Sequence, residues 1–386
     1  MFGISNRSVE YDFLNVRSIL VFICILQGMI FAGLLIIRGF RRKTKADLWL
    51  AALLLVLSSS LITPFIGFAN VYDKNQWLTY FPFSIAYSYG VCVWFYTINL
   101  TDAHHRFTRR DLMLFVPVFA YLAYRFFLFG HDLEWKRWFG DNYGEVFGAL
   151  IFVTEAIWNI TLLVFSIRHY RKYRAWLDEN FSDTEKLKFD WLRNFLYIFT
   201  AILLLGALFD FTNSFVFKLS YIQFFYFEIV LAFATYYLAI AGYLRSKTIE
   251  LNFSETSVAT SEDRRPLIAA NELERLKQKL TNVMEHERPF LDPSLTLTDL
   301  TRTMGVNATV LSYVINKGFA KNFNDLINEY RIEEVKSKLA AADESTLLAV
   351  AFDAGFNSKA TFNRAFKKFT GLSPKEFQVG QKGTKD

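Results

Sequence analysis

Cysteine is nearly absent: two residues in 386, Cys24 and Cys92. Both fall inside long apolar runs, at no spacing that suits a disulfide or a metal site, so they read as packing residues. Histidine is scarce too, with five in all. The pair His104-His105 invites a metal, but adjacent helical residues point in different directions and no Cys or acidic partner stands at ligand spacing. They read as surface loop residues, and no metal or other cofactor is expected. Also missing are a Gly-rich nucleotide loop, a catalytic triad and a phosphoacceptor domain. Their absence argues against an enzyme and against a phosphorelay, leaving one-component signalling.

What the chain has in excess is apolar surface, with 53% hydrophobic residues and 42 Phe. The excess stops near residue 245. Before it come apolar runs of about twenty residues, each long enough for a bilayer core of about 30 Å. Residues 17–37 are too long for a signal-peptide core and have no small-residue cleavage site behind them. Further runs at about 48–69, 81–100, 112–129, 145–167, 195–217 and 222–244 complete seven expected spans. Trp77, Tyr80, Trp135 and Trp138 near span ends fit interfacial anchoring. The sequence thus divides into a transmembrane sensor domain (1–244), a Ser/Thr-rich linker (245–266), an amphipathic helix (267–286), a second domain (287–380) and a tail (381–386).

Orientation follows from charge, because cytoplasmic loops retain Lys and Arg. The segments 38–46, 101–111 and 168–194 carry 5, 3 and 7 basic residues, fifteen together. The alternate segments hold only Arg7, Lys74, Lys136, Arg137 and Lys218. The expected N-terminus is outside, and an odd number of spans puts the C-terminal domain in the cytoplasm.

The linker, if flexible, reaches on the order of 25 Å. In the helix after it, Leu273, Leu276, Leu280 and Val283 recur at three and four residues. Two heptads leave two alternatives open, a homodimer seam or packing onto the next domain.

The last hundred residues contain an internal repeat of about fifty residues, each copy a helix, a Gly turn and a helix. In the first copy Thr296 caps a helix over 297–304, Gly305 supplies the turn, and Asn307 caps a helix from Ala308 to about Lys317. In the second, a helix over 346–354 reaches Gly355, and Asn357 or Ser358 caps a helix to Phe369. Leu311 and Ile315 correspond to Phe362 and Phe366 as core anchors. Leu326, Ile327, Tyr330, Val335 and Leu339 support one long helix between the copies.

The stretch AVAFDAGFNSKATFNRAFKKFTGLSPKEF resembles the second helix-turn-helix of the AraC family, with its GF turn, F-x-R-x-F-K-K helix and G-x-S-P close. LTLTDLTRTMGVNATVLSYVINKGFAKNFNDLINEYRI resembles the first unit, with Gly318-Phe319-Ala320 where many members have a Thr-Gly ending. The resemblance covers roughly 285–380. It implies a bacterial transcription regulator whose partner is double-stranded DNA, with a second helix of each unit in the major groove. The expected fold is all-α: a seven-helix transmembrane bundle in the inner membrane, then a soluble domain of two helix-turn-helix units joined by a long helix.

Residues 357–386 carry seven Lys or Arg against two acids. On the second recognition helix Phe362, Ala365, Phe366 and Phe369 take the inner stripe. Lys359, Ala360, Asn363, Arg364, Lys367 and Lys368 are left outward. Arg suits guanine edges and Asn adenine, whereas the Lys pair suits phosphates. On the first, Thr309, Ser312, Tyr313 and Asn316 are the candidate readers outside Leu311, Val314 and Ile315. The bland alternative is a solvated face.

In the membrane domain the ionisable residues at span depth, Arg125, Glu155, Asp210 and Glu228, form a candidate signal pocket for an unknown small-molecule or membrane signal. The alternative is an Arg–carboxylate pair that fixes packing, or snorkelling of Arg125 and Glu228. Two other functions stay open: a transporter or membrane enzyme with a fused autoregulatory DNA-binding module, and a regulator released by proteolysis within 245–266.

The charge asymmetry yields a direct test. A reporter active only in the periplasm, fused after residue 245, should stay silent, and strong activity would reverse the orientation and remove the DNA-binding role.

Overall fold

The computed structural model describes residues 15–185, 187–245, 253, 268–340 and 346–382. Apart from Arg245 and Phe253, the expected linker at 245–266 lies outside them, as do residues 383–386 of the expected tail. Among the described residues every regular element is helical, and the one β-bridge is isolated, between Phe181 and Thr296. The chain divides into two units, Met1–Tyr170 with Asp190–Asn252, and Arg171–Phe189 with Phe253–Asp386.

The first unit contains α1 (Val16–Arg42), α2 (Lys45–Ser60), α3 (Ile62–Phe68), α4 (Val71–Lys74), α5 (Ser88–Thr101), α6 (Arg109–Met113) and α7 (Val116–Phe129). Then come α8 (Leu133–Asn180), whose residues from Arg171 belong to the second unit, α9 (Asp190–Phe211) and α10 (Tyr221–Arg245). Among the described residues, six helical stretches are long and apolar enough to cross a membrane. α1 packs on α2 and α10, α2 on α5, and α9 on α10.

Surface chemistry separates the two units. On α1, Ile23, Ile30 and Ile37 are each 52% exposed at seven-residue spacing, while Val21, Ala32 and Leu35 on the opposite side are fully buried. Phe119, Phe126, Leu204 and Phe233 are likewise exposed. Among the described residues of the second unit, only Phe352 and Leu372 are exposed large hydrophobics. Apolar side chains turned outward on every long helix are stable in hydrocarbon and costly in water.

Three expected spans take different bounds. The run at 81–100 forms helix only from Ser88: Pro82 keeps Phe81 out of the helical region, and Tyr87, just before the helix, takes a left-handed conformation at φ 66°. α5, 14 residues long, is short for a bilayer core but buried on nearly every side. In the irregular backbone before it, Phe81 O accepts from Phe83 N at 2.8 Å and from Arg125 Nη2 at 3.2 Å. Such backbone is tolerated at membrane depth when protein covers it. The run at 145–167 is the middle of a 48-residue helix, so stretches read as loops at 133–144 and 168–180 are helical. They are polar yet contain no proline to break the helix. The run at 195–217 begins five residues earlier, and its end is a π-helical turn, Thr212–Val216.

The second unit holds α11 (Ala270–His286), α12 (Leu297–Met304), α13 (Ala308–Gly318), α14 (Phe323–Ala340), α15 (Leu347–Asp353), α16 (Lys359–Thr370) and α17 (Pro374–Lys382). Local chemistry fixes their ends. Thr296 and Asp299 form a capping box, Asn307 Oδ1 accepts from Val310 N at 2.8 Å, and Ser358, not Asn357, caps α16. Hydrogen bonds from Thr296 hold the Asp299 carboxyl below the usual aspartate range. Because folding lowers that pKa, the cap stabilises fully at neutral pH and loses its contribution as pH falls through the lowered value. α13 ends at Gly318 and the left-handed position falls on Ala320, at φ 55°, without a glycine.

One core packs Leu280, Val283 and Met284 of α11 with Leu300, Met304, Leu311, Ile315 and Ile327. The apolar stripe of α11 is thereby consumed in packing on the first helix-turn-helix, which favours that alternative over a dimer seam. The second core joins Ile332 and Val335 to Val350, Phe356, Phe362 and Phe366. α14 contributes to both cores.

The two turn glycines differ in their surroundings. A Cβ on Gly305 (φ 66°) would meet nothing, whereas one on Gly355 (φ 95°) would lie 2.4 Å from Phe290 O and 2.9 Å from Leu291 O. Gly305→Ala should cost about 1–2 kcal/mol, and Gly355→Ala more than about 3 kcal/mol because backbone must also shift. Thermal unfolding of the detergent-solubilised chain measures both; equal costs would show that the carbonyls yield freely.

Candidate nucleic-acid interface and membrane-unit cavity

α16 is amphipathic by spacing. Phe362, Ala365 and Phe366 face the core, Thr361 is buried beneath Glu185 and Asp183, and Lys359, Ala360, Asn363, Arg364, Lys367 and Lys368 are all exposed. Phe362 packs edge-on against Phe356 and Phe366, at 5.4 and 5.5 Å between centroids, which fixes the rotation of the helix about its axis. On α13, Leu311, Val314 and Ile315 are buried; Thr309, Ser312 and Tyr313 are half-buried and Asn316 is exposed. Asn316 Nδ2 donates to Ser312 Oγ at 3.3 Å, so the polar positions on α13 form one short row.

The cations on α16 are not all free. Lys368 Nζ pairs with Asp325 at 2.6 Å, and Arg364 Nη2 lies 3.3 Å from Glu185 Oε2. Glu185 also accepts from Ser358 Oγ at 2.6 Å and Thr361 Oγ1 at 2.7 Å. Partial burial pushes its carboxyl upward, but these hydrogen bonds and the Arg364 charge prevail and hold it below the usual glutamate range.

Relative placement of the two recognition helices rests on α14 and on Arg331, which composition-based reading passed over. Arg331 is 1% exposed. Its Nε donates to Phe290 O at 2.7 Å, and its Nη2 to Asp292 O at 2.7 Å and Ser182 Oγ at 3.2 Å. Its guanidinium lies 5.8 Å from the Phe356 ring centroid. Burial lowers its pKa to about 10, still charged at neutral pH. A signal was present: Ile327, Arg331 and Val335 repeat every four residues, placing the arginine on the buried stripe.

Arg125, Glu155, Asp210 and Glu228, named on different spans, all line one cavity of about 420 Å³ within the first unit, with Tyr89, Tyr121 and Asn159. Among the described residues no ion pair within 4.0 Å joins any two of them. Arg125 instead donates to Phe81 O and lies over the Tyr80 ring at 5.6 Å. Glu155 Oε1 accepts from Asn159 Nδ2 at 3.4 Å, and Asn159 Oδ1 accepts from Gly90 N at 2.9 Å. The packing pair considered from sequence is therefore not formed. Asp210 lies two residues before the π-helical turn that follows α9.

Comparison with known proteins bears on the C-terminal part. The family described as "Helix-turn-helix domain" matches residues 300–379. An uncharacterized HTH-type transcriptional regulator of Staphylococcus aureus (strain COL) is 31% identical over 100 residues, 26% of this chain and 13% of that protein. The melibiose operon regulatory protein of Escherichia coli (strain K12) is 29% identical over 87 residues, 22% of this chain and 28% of that protein. A Listeria innocua structure titled as a protein of unknown function covers 27% of this chain and 93% of its own, at 28% identity and a TM-score of 0.24. Residues 300–379 thus form a helix-turn-helix domain, and it is of the AraC type. The chain spans a small part of the curated relatives it matches.

Geometry separates the roles of two cations on α16. Arg364→Ala should lower affinity for a cognate duplex by roughly 1–3 kcal/mol and relax preference at one or two base pairs. Lys368→Ala should weaken all duplexes alike and flatten the salt dependence by about one counterion. Because Arg364 also touches Glu185, its effect is read as the ratio of cognate to random-duplex affinity. An unchanged ratio for Arg364→Ala would deny it a base-reading role.

Proposed function

We propose that this protein is a membrane-embedded one-component transcription regulator. The observation that carries the reading is the pair of helix-turn-helix units on one connecting helix, in the same chain as six helices of membrane-crossing length and apolarity. α13 and α16 are the groove-reading helices, and one protomer reads two successive major grooves because α14 fixes their separation. Thr309, Ser312, Tyr313 and Asn316, with Asn363 and Arg364, contact bases. Lys359, Lys367 and Lys368 neutralise phosphates, and Ala360 lets α16 approach closely. The curated relatives' names, a transcriptional regulator and an operon regulatory protein, support the same class.

In this reading the outward apolar faces of the first unit meet lipid, and α5 is the seventh crossing, which keeps the DNA-binding domain cytoplasmic. The cavity lined by Arg125, Glu155, Asp210 and Glu228 receives the signal. Ionisable groups at that depth with no ion pair among them are expensive to keep charged unless a ligand or water meets them, and the cavity falls within the range of small-molecule sites. A ligand that binds one packing of the helices better than another shifts the population that binds DNA.

The test combines genome-wide mapping of bound DNA with transcript profiles in cells carrying the wild type, E155Q, D210N or no copy. Discrete bound sites are expected, with transcript changes at them lost in the deletion. E155Q or D210N should alter those transcripts at equal protein level. Binding without sequence preference would reduce the C-terminal domain to a nonspecific tether, and wild-type transcripts in both variants would remove the cavity from the signalling route.

A further inference from the structure

The segment between α8 and α9 is built into the DNA-binding unit. Tyr173 and Trp176 each lie 5.4 Å from Phe253 between ring centroids, with Phe181 packed on Trp176 and Phe189 on Tyr173. Two residues then tie the segment down. Ser182 N donates to Leu295 O at 3.2 Å, Asn324 Nδ2 donates to Phe181 O at 3.1 Å and to Ser182 O at 2.8 Å, and Arg331 reaches Ser182 Oγ. These anchors lie on the connecting helix and on the entry to α12. Lys188 pairs with Asp178 at 2.9 Å across the base of the loop.

From that anchored base, the tip reaches the second recognition helix. Glu185 accepts from the hydroxyls of Ser358, the N-cap, and Thr361, the third helical residue, and meets Arg364 one turn on. Thr361 Oγ1 also faces Asp183 Oδ1 at 3.3 Å. The first turn of a helix attracts anions through its free N–H groups and its dipole. A carboxylate seated there, on two hydroxyls and a guanidinium, occupies the position that a backbone phosphate takes when the N-terminal end of the helix enters a major groove. Glu185 and DNA cannot hold that position together.

We propose that segment 181–189 is an intramolecular competitor for DNA, in which Glu185 occupies the anion site formed by Ser358, Thr361 and Arg364, so that full engagement of the second recognition helix requires the tip to withdraw. The inference rests on the reading of α16 as a DNA-contacting helix. It adds Ser358 and Thr361 to the phosphate-contacting set, and it assigns a route of control. The competitor is the chain link between α8 and α9, so a change in how those two helices are held pulls directly on it. The anchors at Phe181 and Ser182 lie away from the outward face of α16, so the tip can swing while the base stays fixed. A closed state favoured tenfold lowers apparent affinity about tenfold.

The test uses the full chain in lipid nanodiscs, titrated by fluorescence anisotropy against a mapped cognate duplex and a random duplex at several salt concentrations. E185Q removes the competing charge and leaves the residues that would touch DNA intact. It should bind both duplexes about tenfold more tightly, with a salt dependence steeper by about one counterion. Unchanged or weaker binding by E185Q at an unaltered melting temperature would overturn the proposal and leave Glu185 a structural cap. If E185Q lowers the melting temperature, D183N, which loosens the tip at Thr361 with Glu185 in place, must shift affinity in the same direction by a smaller factor, and no shift would also overturn it. Failure of the wild type and E185Q alike to prefer the cognate duplex would sink sequence-specific reading, whereas the competitor is still judged from their difference on random DNA.

Discussion

The second unit depends on one buried cation. Arg331 sits near the middle of α14, between the core of the first helix-turn-helix and that of the second. A charged group there is tolerable only if its donors are satisfied, since an unpaired buried charge costs several kcal/mol. Two backbone carbonyls, at Phe290 and Asp292, and one hydroxyl, at Ser182, meet that need. The consequences spread outward. The 289–292 turn is held at fixed height on α14, and its carbonyls approach Gly355 so closely that no side chain fits there. The turn of the second unit is therefore set against the entrance of the first. If the two units read grooves one helical repeat apart, as proposed, they need that rigidity, because an error at the hinge would be magnified at the DNA.

The same constraint explains what could be read from sequence and what could not. Thr296, Gly305, Asn307 and the anchor pairs Leu311–Ile315 and Phe362–Phe366 were legible because caps and i, i+4 contacts are decided within a few residues. Arg331 was not, since its partners lie about forty and 149 residues earlier in the chain. Glu185 escaped notice for the same reason, and because its segment looked like a basic loop next to a membrane span. The seven Lys and Arg of 168–194 set the topology expectation, while two of the acids among them, Asp183 and Glu185, make the contact with α16.

In the first unit the balance of legibility is different. Charges at membrane depth are so costly that their rarity alone marked Arg125, Glu155, Asp210 and Glu228, and all four line one cavity. Element ends were harder. A hydropathy window detects where hydrocarbon is preferred and says nothing of where helix stops, so it underestimated α8 and overestimated α5. α5 shows why both readings hold at once: residues 81–87 are apolar, yet Pro82 holds Phe81 out of the helical region, Tyr87 is left-handed, and Arg125 supplies a partner to Phe81 O.

That double use of Arg125 bears on how a cavity signal can travel. Its guanidinium lines the cavity while also holding Phe81 O and stacking over Tyr80, so whatever draws it toward a ligand must loosen the backbone that leads into α5. Across the cavity, Glu155 lies on α8 and Asp210 at the end of α9, and these are the two helices joined by segment 181–189. Carboxylates on both would be drawn together by a cation and driven apart when both are ionised without one. If the cavity receives the signal, as proposed, charge there would bear on the spacing of α8 and α9 with no need for a separate relay. Coupling of this kind needs only two packings close in free energy and a ligand with unequal affinity for them. A strongly buried pair would have locked one packing; leaving the four groups without mutual ion pairs keeps both within reach.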